Sequence, residues 1–404
     1  MRILLVNRHY GDDHVPTGRM LRDVAERLQE LGHQVDVIAT HSSYAGKEKA
    51  AAAHHGVNLT WLGSPRESAR TVAWILFLVQ AAALVWWRQW DRCVLLTDPP
   101  FLVAAAVGAN LLRKKRPVYW WTMDLYPESL VAAGILQPEG LWARFFRRLN
   151  TLALRFLAGV ISLDEAQKER LSGYAGWNHA PAFSQIVPPW DQRPFPPVER
   201  EANRFLRQFG LLDKRVLLYA GNLGRAHSIH EVIAAARLMS EQGDSPWMFV
   251  FVVRGARRAE LAAAIGHLNN VLLTDYLPED WTADLLWGAD VHLITMSPGW
   301  DGIVVPSKLY GALQTPAPVL FIGPARCGTA IEIGRLKAGE RLPNGSPAEK
   351  VIEAIQRLGN AGPRVSGRSC PNPSDIARYI TAGLPTGQPD VLTLQKAGFP
   401  GKPC

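Results

Sequence analysis

Short, almost wholly apolar runs punctuate the chain, and between several of them apolar residues return every three or four positions. The first half holds RILLVN (2–7), QVDVIAT (34–40), VNLTWLG (57–63), RCVLLT (92–97), PVYWWT (117–122), GVISL (159–163) and FSQIV (183–187). Runs this short, rich in valine, isoleucine and aromatics, predict buried strands. In the stretch 18–32, Met20, Leu21, Val24, Leu28 and Leu31 share one helical face, and Gly32 reads as the stop. After a proline-rich connector at 187–200, VPPWDQRPFPPVER, the alternation restarts with RVLLYAG (215–221), WMFVFVV (247–253), NVLLT (270–274), DVHLIT (290–295) and PVLFIG (318–323). Strand–helix alternation on both sides of a stiff connector predicts an α/β chain of two Rossmann-like, doubly wound domains facing a cleft. The expected boundaries are 1–190, a linker at 191–200, a second domain at 201–365, and a tail at 366–404. In the tail, SDIARYITAG is a short helix with Ser374 as its N-cap, expected to pack back on the first domain.

Composition narrows the picture. A length of 404 residues exceeds a typical single core, and 48% hydrophobic with 20% charged residues is globular. The net charge of +8 favours anionic partners. Cys93, Cys327, Cys370 and Cys404 are scattered, which suits neither a zinc site nor a disulfide framework and fits a reducing compartment. Residues 1–7 read as a first strand rather than a signal peptide. The run 72–87, VAWILFLVQAAALVWW, would span about 24 Å as a helix, short of the ~30 Å of a hydrocarbon core, which favours a buried or interface-lying helix over a membrane span. Fourteen tryptophans fit either a membrane interface or large buried cores. The stretch 141–159, read as one helix, pairs Phe145, Phe146, Leu149, Leu152 and Phe156 with Arg144, Arg147, Arg148 and Arg155. Such a helix can lie on anionic lipid or serve as an ordinary domain helix with solvated arginines.

Four stretches carry candidate chemistry. In YAGNLGRAHSIH (219–230), Gly221 and Gly224 let the backbone approach a ligand, a helix follows, and Arg225 offers a planar fork for phosphate oxygens. An ordinary strand-to-helix turn would use the same glycines. In GWDGIVVPSKLYG (299–311), Pro306 can open a helix that places Ser307 and Lys308 at its start, where a cation opposes the helix dipole unless an anion is bound. A solvated lysine is the plain alternative. In TMDLYPES (122–129), Asp124 follows a strand and Glu128 opens a turn or helix, as a ligand group or as a cap. In GDDHVPTGRM (11–20), Thr17 and Gly18 lie at the first strand-to-helix turn. No D-x-D triplet, P-loop, G-x-S-x-G or H-E-x-x-H occurs, so a divalent-metal diphosphate site lacks its usual ligands.

Together these stretches resemble a GT-B glycosyltransferase of the large retaining family four, in its bacterial polysaccharide branch, from Met1 to about Leu358. TDPPF (97–101), IVPPW (186–190) and FRRLN (146–150) fit the same branch. The resemblance implies sugar transfer from a nucleoside-diphosphate donor of UDP or GDP type, with retention and without a metal; the nucleotide sugar is a substrate, and no cofactor is expected. It implies that Arg225 and Lys308 hold the donor diphosphate, with Gly221 and Asn222 forming the turn beside it. Gly18 falls in the glycine loop near donor and acceptor, and Asp124 at the acidic acceptor-side position, with Thr17 and Glu128 as further acceptor-side candidates. The loop TDYLPED (274–280) is the base-holding one, which brings in Tyr276 and Leu277; Gly255, Asp301 and Ser307 complete the expected donor set. Asp124, Arg225 and Lys308 are the expected catalytic residues.

The sequence departs from that pattern in two places. The family's pair of glutamates is replaced by Ile303 and Gly311, and Pro316 and Ala317 stand where the branch has glycine and arginine. The expected partners are a nucleotide sugar, a glycan or lipid-linked acceptor and the inner face of the cytoplasmic membrane. A sugar-nucleotide epimerase of the same fold and an inactive GT-B scaffold are the competing readings; no basic–aromatic module points to nucleic acid.

Overall fold

The computed structural model describes residues 1–11, 15–40, 56–63, 70–112, 115–174, 184–191, 193, 195–243, 245–266, 268–362 and 373–382. Along the first part run β1 (Arg2–Val6), α1 (Pro16–Glu30), β2 (Gln34–Thr40), β3 (Val57–Leu62), α2 (Arg70–Trp87), β4 (Arg92–Leu95), α3 (Leu102–Leu111), β5 (Val118–Trp121), α4 (Glu128–Ala132), α5 (Leu141–Leu154), β6 (Gly159–Ser162), α6 (Glu165–Ser172) and β7 (Ser184–Ile186). There follow α7 (Arg204–Gln208), β8 (Arg215–Asn222), α8 (His230–Glu241), β9 (Trp247–Arg254), α9 (Arg258–Ile265), β10 (Val271–Thr274), α10 (Thr282–Trp287), β11 (Val291–Thr295), α11 (Lys308–Ala312), β12 (Val319–Ile322), α12 (Gly328–Arg335), β13 (Gly339–Leu342), α13 (Ala348–Asn360) and α14 (Pro373–Ala382).

These elements form two compact units. The first contains Met1–Pro189, Gly302–Val304 and the segment bearing α14; the second contains Trp190–Asp301 and the segment from Val305 that bears α11, α12 and α13. Each unit is built on one all-parallel sheet. The first has the order β3-β2-β1-β4-β5-β6-β7, the second β10-β9-β8-β11-β12-β13. The near-continuous apolar runs follow from this: strands covered on both faces need no polar side. In the first unit, right-handed crossovers put α1 on one face of the sheet and α2, α3 and α5 on the other. Accordingly α1 packs with α14, whereas α3 packs between α2 and α5. Tyr379 of α14 meets Tyr119 edge-on at 5.7 Å, and its hydroxyl occupies the space that a Cβ on Gly159 would need. In the second unit one core gathers Phe249, Phe251, Val232, Ile352 and Ile355, and the other gathers Phe205, Val250, Val252 and Leu285.

Several expectations need correction. The helix read over 141–159 ends at Leu154, and Gly159 already belongs to β6, because buried valine and isoleucine pair with β5 there. β13, GERL, carries no apolar run; it is an edge strand held by backbone pairing to β12. The tail helix starts at Pro373, whose fixed φ suits a first helical position, so Ser374 lies inside the helix and is buried. Of the tryptophans, Trp120, Trp121, Trp190 and Trp247 are buried in the cores, while Trp86, Trp87 and Trp142 are exposed.

Candidate functional site

In the second unit, β8 and β9 pair to their last residues, Asn222 opposite Arg254, so the turns that leave them lie side by side. Backbone crowding there dictates glycine. Gly255 has φ +118°, and a Cβ on it would lie 2.3 Å from Asn222 Oδ1 and 2.6 Å from the Leu223 carbonyl oxygen. Gly221 has φ +128°, and its missing Cβ leaves room for the Lys308 stem, 3.3 Å away. Lys308 opens α11; its Nζ donates to the Tyr219 hydroxyl at 2.6 Å and the Asn222 carbonyl at 3.4 Å, and stands 3.9 Å over the Tyr219 ring. Among the described residues no acid pairs with it. Part of the side chain still meets solvent, but desolvation lowers its pKa to about 7. The dipole argument made from the sequence gives way to burial as the cause, since α11 is only five residues long.

Arg225 is exposed on the same β8–α8 turn. That turn is tied to the end of β11: Ser297 donates its N–H to the Ala226 carbonyl at 2.8 Å and its hydroxyl to the Arg225 carbonyl at 3.4 Å. His227 Nδ1 lies 2.8 Å from the Thr295 carbonyl, so Nδ1 carries the proton. Burial, aided by the charges of Lys308 and Arg257, lowers the His227 pKa to about 3 and keeps the ring neutral. Glu231, at the start of α8, accepts from the Ser228 hydroxyl at 2.7 Å and the Gly345 N–H at 2.8 Å. Past β10, Tyr276 lies under the Arg254 guanidinium at 5.0 Å, and Leu277 packs on the core that holds Val250. Ser307 precedes α11 without capping it by its side chain, and Asp301 is half-buried. Tyr219 and Glu231 were missed as partners; the spacing Ser228-x-x-Glu231 was the visible hint.

The first unit has its own polar cluster at strand ends. Asp98, beyond β4, takes the Arg8 Nε at 3.1 Å on both oxygens and faces His9 Nε2 at 3.0 Å. Burial works to raise its pKa, but the bonds and charges of His9 and Arg8 outweigh it and hold Asp98 below the usual carboxylate value. Asp124, beyond β5, is placed by the Thr97 hydroxyl, which accepts the N–H groups of Met123 and Asp124 at 3.2 and 3.1 Å. Solvent reaches Asp124, yet desolvation and the Asp98 charge raise its pKa to about 6. Two neighbouring carboxylates are thus driven in opposite directions. Gly18, in the first turn of α1, packs on this region: a Cβ there would lie 3.4 Å from His9 and Tyr10 atoms. Glu128 is turned inward instead, between Arg147 Nε at 3.1 Å and the Tyr174 hydroxyl at 2.6 Å. Arg8 and His9 escaped sequence reading because isolated residues after a strand carry no motif. Among the described residues no group of three or more His, Cys, Asp and Glu side chains could hold a metal ion.

Comparison with known proteins shows what these features resemble. Residues 17–183 match the glycosyl transferase 4-like domain. The probable glycosyltransferase WbjE of Pseudomonas aeruginosa is 26% identical over 244 residues, 58% of this chain and 58% of that one. The putative colanic acid biosynthesis glycosyl transferase WcaI of Escherichia coli is 24% identical over 346 residues, 78% of this chain and 81% of that one. The chain thus carries a glycosyl transferase 4-like domain over residues 17–183 and is similar to these two curated glycosyltransferases. Its fold is similar to that of WaaG, a glycosyltransferase involved in lipopolysaccharide biosynthesis: the TM-score is 0.67 at 17% identity, covering 94% of this chain and all of that one. The matched range contains Thr17 and Gly18 of α1, Asp98 and Asp124 and the α2–α3–α5 layer, whereas Arg8, His9, Arg225 and Lys308 lie outside it.

Proposed function

We propose that this glycosyltransferase moves a sugar from a UDP- or GDP-type nucleotide sugar to a glycan or lipid-linked acceptor, with retention of configuration and without a metal ion. The observation that carries the reading is the Lys308 ammonium, half-buried without an acidic partner among the described residues, beside glycine turns at the ends of β8 and β9. Breaking the sugar–phosphate bond develops charge on the departing diphosphate, and fixed cations stabilise that charge more than the ground state. Lys308 and Arg225 take that role. Gly221, Asn222 and Ser307 line the diphosphate, Gly255, Tyr276 and Leu277 take the base, and Asp301 takes the sugar. Bound diphosphate would raise the Lys308 pKa, so the lysine is charged in the complex. In the first unit, Asp124 with Thr17 and Gly18 receives the acceptor; desolvation, with the charge of Asp98 that Arg8 and His9 hold ionised, raises the Asp124 pKa. Glu128 serves the fold around Asp124 by holding Arg147 and Tyr174. The enzyme works at the inner face of the cytoplasmic membrane.

A thermal-shift screen of nucleoside diphosphates and their sugars tests the donor, since a bound ligand stabilises by RT ln(1 + [L]/Kd). Absence of any shift would sink the reading. Product analysis with and without acceptor separates transfer from epimerisation. The anomeric configuration by NMR and turnover in excess chelator test retention and metal independence.

A further inference from the structure

The α2–α3–α5 layer of the first unit is apolar on the side turned away from its sheet. Ala73, Phe77, Ala81 and Val85 of α2 are buried, while Val72, Ile75, Leu76, Val79, Trp86 and Trp87 form an exposed stripe along the same helix. Val79 is 63% exposed and Trp87 70%. On α5, Leu141, Trp142, Phe145 and Leu152 are exposed, as is Leu112 at the end of α3. A monomer does not normally leave so long an apolar stripe in water. From Thr71 through the end of α2, along α3 and along α5, no acidic residue occurs. Among the described residues, the exposed charges on these helices and at their ends include Lys115, Arg144, Arg148 and Arg155, with the acids Asp91 after α2 and Glu139 ahead of α5.

We propose that this three-helix layer docks flat on an anionic lipid surface, α2 and α5 sinking their apolar stripes among the acyl chains while the arginines meet the headgroups. The charge pattern selects that occupant. A second copy, joined by a two-fold axis, would set arginine against arginine, whereas an anionic bilayer complements the sign. Among the described residues no helix is long and apolar enough to cross a membrane, and α2 already spends one face on α3, so it lies on the bilayer rather than through it. An aromatic row leads inward from the layer: Trp142 to Phe146 at 6.1 Å, Phe146 stacked on Phe101 at 4.1 Å, Phe101 to Tyr126 at 6.3 Å. Tyr126 lies two residues from Asp124, so on the reading that the acceptor is lipid-linked, the docked layer adjoins the acceptor side of the same unit.

Full-length protein is to be floated with zwitterionic and with anionic vesicles at low and high salt, alongside Val79→Glu and the double variant Arg144→Glu/Arg148→Glu. Wild type should bind anionic vesicles and be released by salt, and each variant should lose about tenfold or more in bound fraction. Circular dichroism and donor-induced thermal shift should stay unchanged, because the altered residues are exposed. Wild type that stays unbound to anionic vesicles overturns the proposal. So do variants that float as well as wild type, or a solution dimer that Val79→Glu dissociates. Failure here leaves the donor-induced shift intact, whereas failure of the transferase reading abolishes that shift and not the flotation.

Discussion

The two sheets share a plan. In each, the chain starts in the middle and the order turns back, β2-β1-β4 in one and β9-β8-β11 in the other, with polar groups gathered where the strands end. Their charge is opposite. The first collects Asp98 and Asp124, one pKa lowered and the other raised; the second presents Lys308, whose pKa is lowered by burial, with no acid among the described residues to restore it. The lesson is that a doubly wound sheet supplies a place, and the few side chains beyond the strand ends supply the chemistry.

The sharpest way to break that comparison is to remove the cations. Arg225→Ala and Lys308→Ala should each lower transfer by about 10²–10³, with circular dichroism unchanged. Steady-state rates at saturating donor check this, and near-normal turnover would detach the second unit's charge from the reaction. Gly255→Ala comes next. Its Cβ would strike Asn222 and the Leu223 backbone at φ +118°, so unfolding free energy in urea should fall by about 1–3 kcal/mol and nucleotide binding should weaken with it.

Smaller effects come from titration. Nucleoside-diphosphate affinity should decline as pH rises above about 7, where Lys308 loses its proton, with proton uptake on binding visible by calorimetry in two buffers. Lys308→Arg should flatten the profile. In the ligand-free protein the folded Lys308 pKa of about 7 lies below its ordinary 10.5. The unfolded chain therefore binds the extra proton across that window, and this residue's contribution to stability rises with pH there. Asp124 runs the other way: its folded pKa of about 6 exceeds 3.8, so the native chain holds the extra proton and the contribution falls as pH rises between those values. Asp124→Asn should remove that slope, a slight effect because solvent reaches the group; chemical unfolding at pH 4 and pH 7 measures it.

Residue pattern alone revealed most of the architecture. Twelve apolar runs mark twelve of the strands: the central ones, covered on both faces, are buried almost throughout, and the edge strands β3, β7 and β10 only in part. GERL was invisible because an edge strand is held by backbone hydrogen bonds that any sequence can make. The end of α5 was misplaced for a related reason: valine and isoleucine continue a helical apolar pattern as readily as they begin a strand, and only pairing with β5 decides.

The chemistry was legible where a loop carries a motif. Gly221, Arg225, Lys308 and Asp124 stand out along the chain because each sits in a stretch with a recognisable local pattern, whereas Gly255 entered only through the resemblance. What those groups meet is not local. The contact of Lys308 with Tyr219, the inward turn of Glu128 toward Tyr174, and the setting of Asp98 between Arg8 and His9 each join residues 46 to 90 positions apart. Their protonation follows from desolvation and neighbouring charge, which exist only once the strands are laid side by side. Sequence therefore determined most of the elements, the resemblance and the kinds of reactive group; tertiary packing decided which carboxylate is engaged, which is free to titrate, and how weakly Lys308 holds its proton.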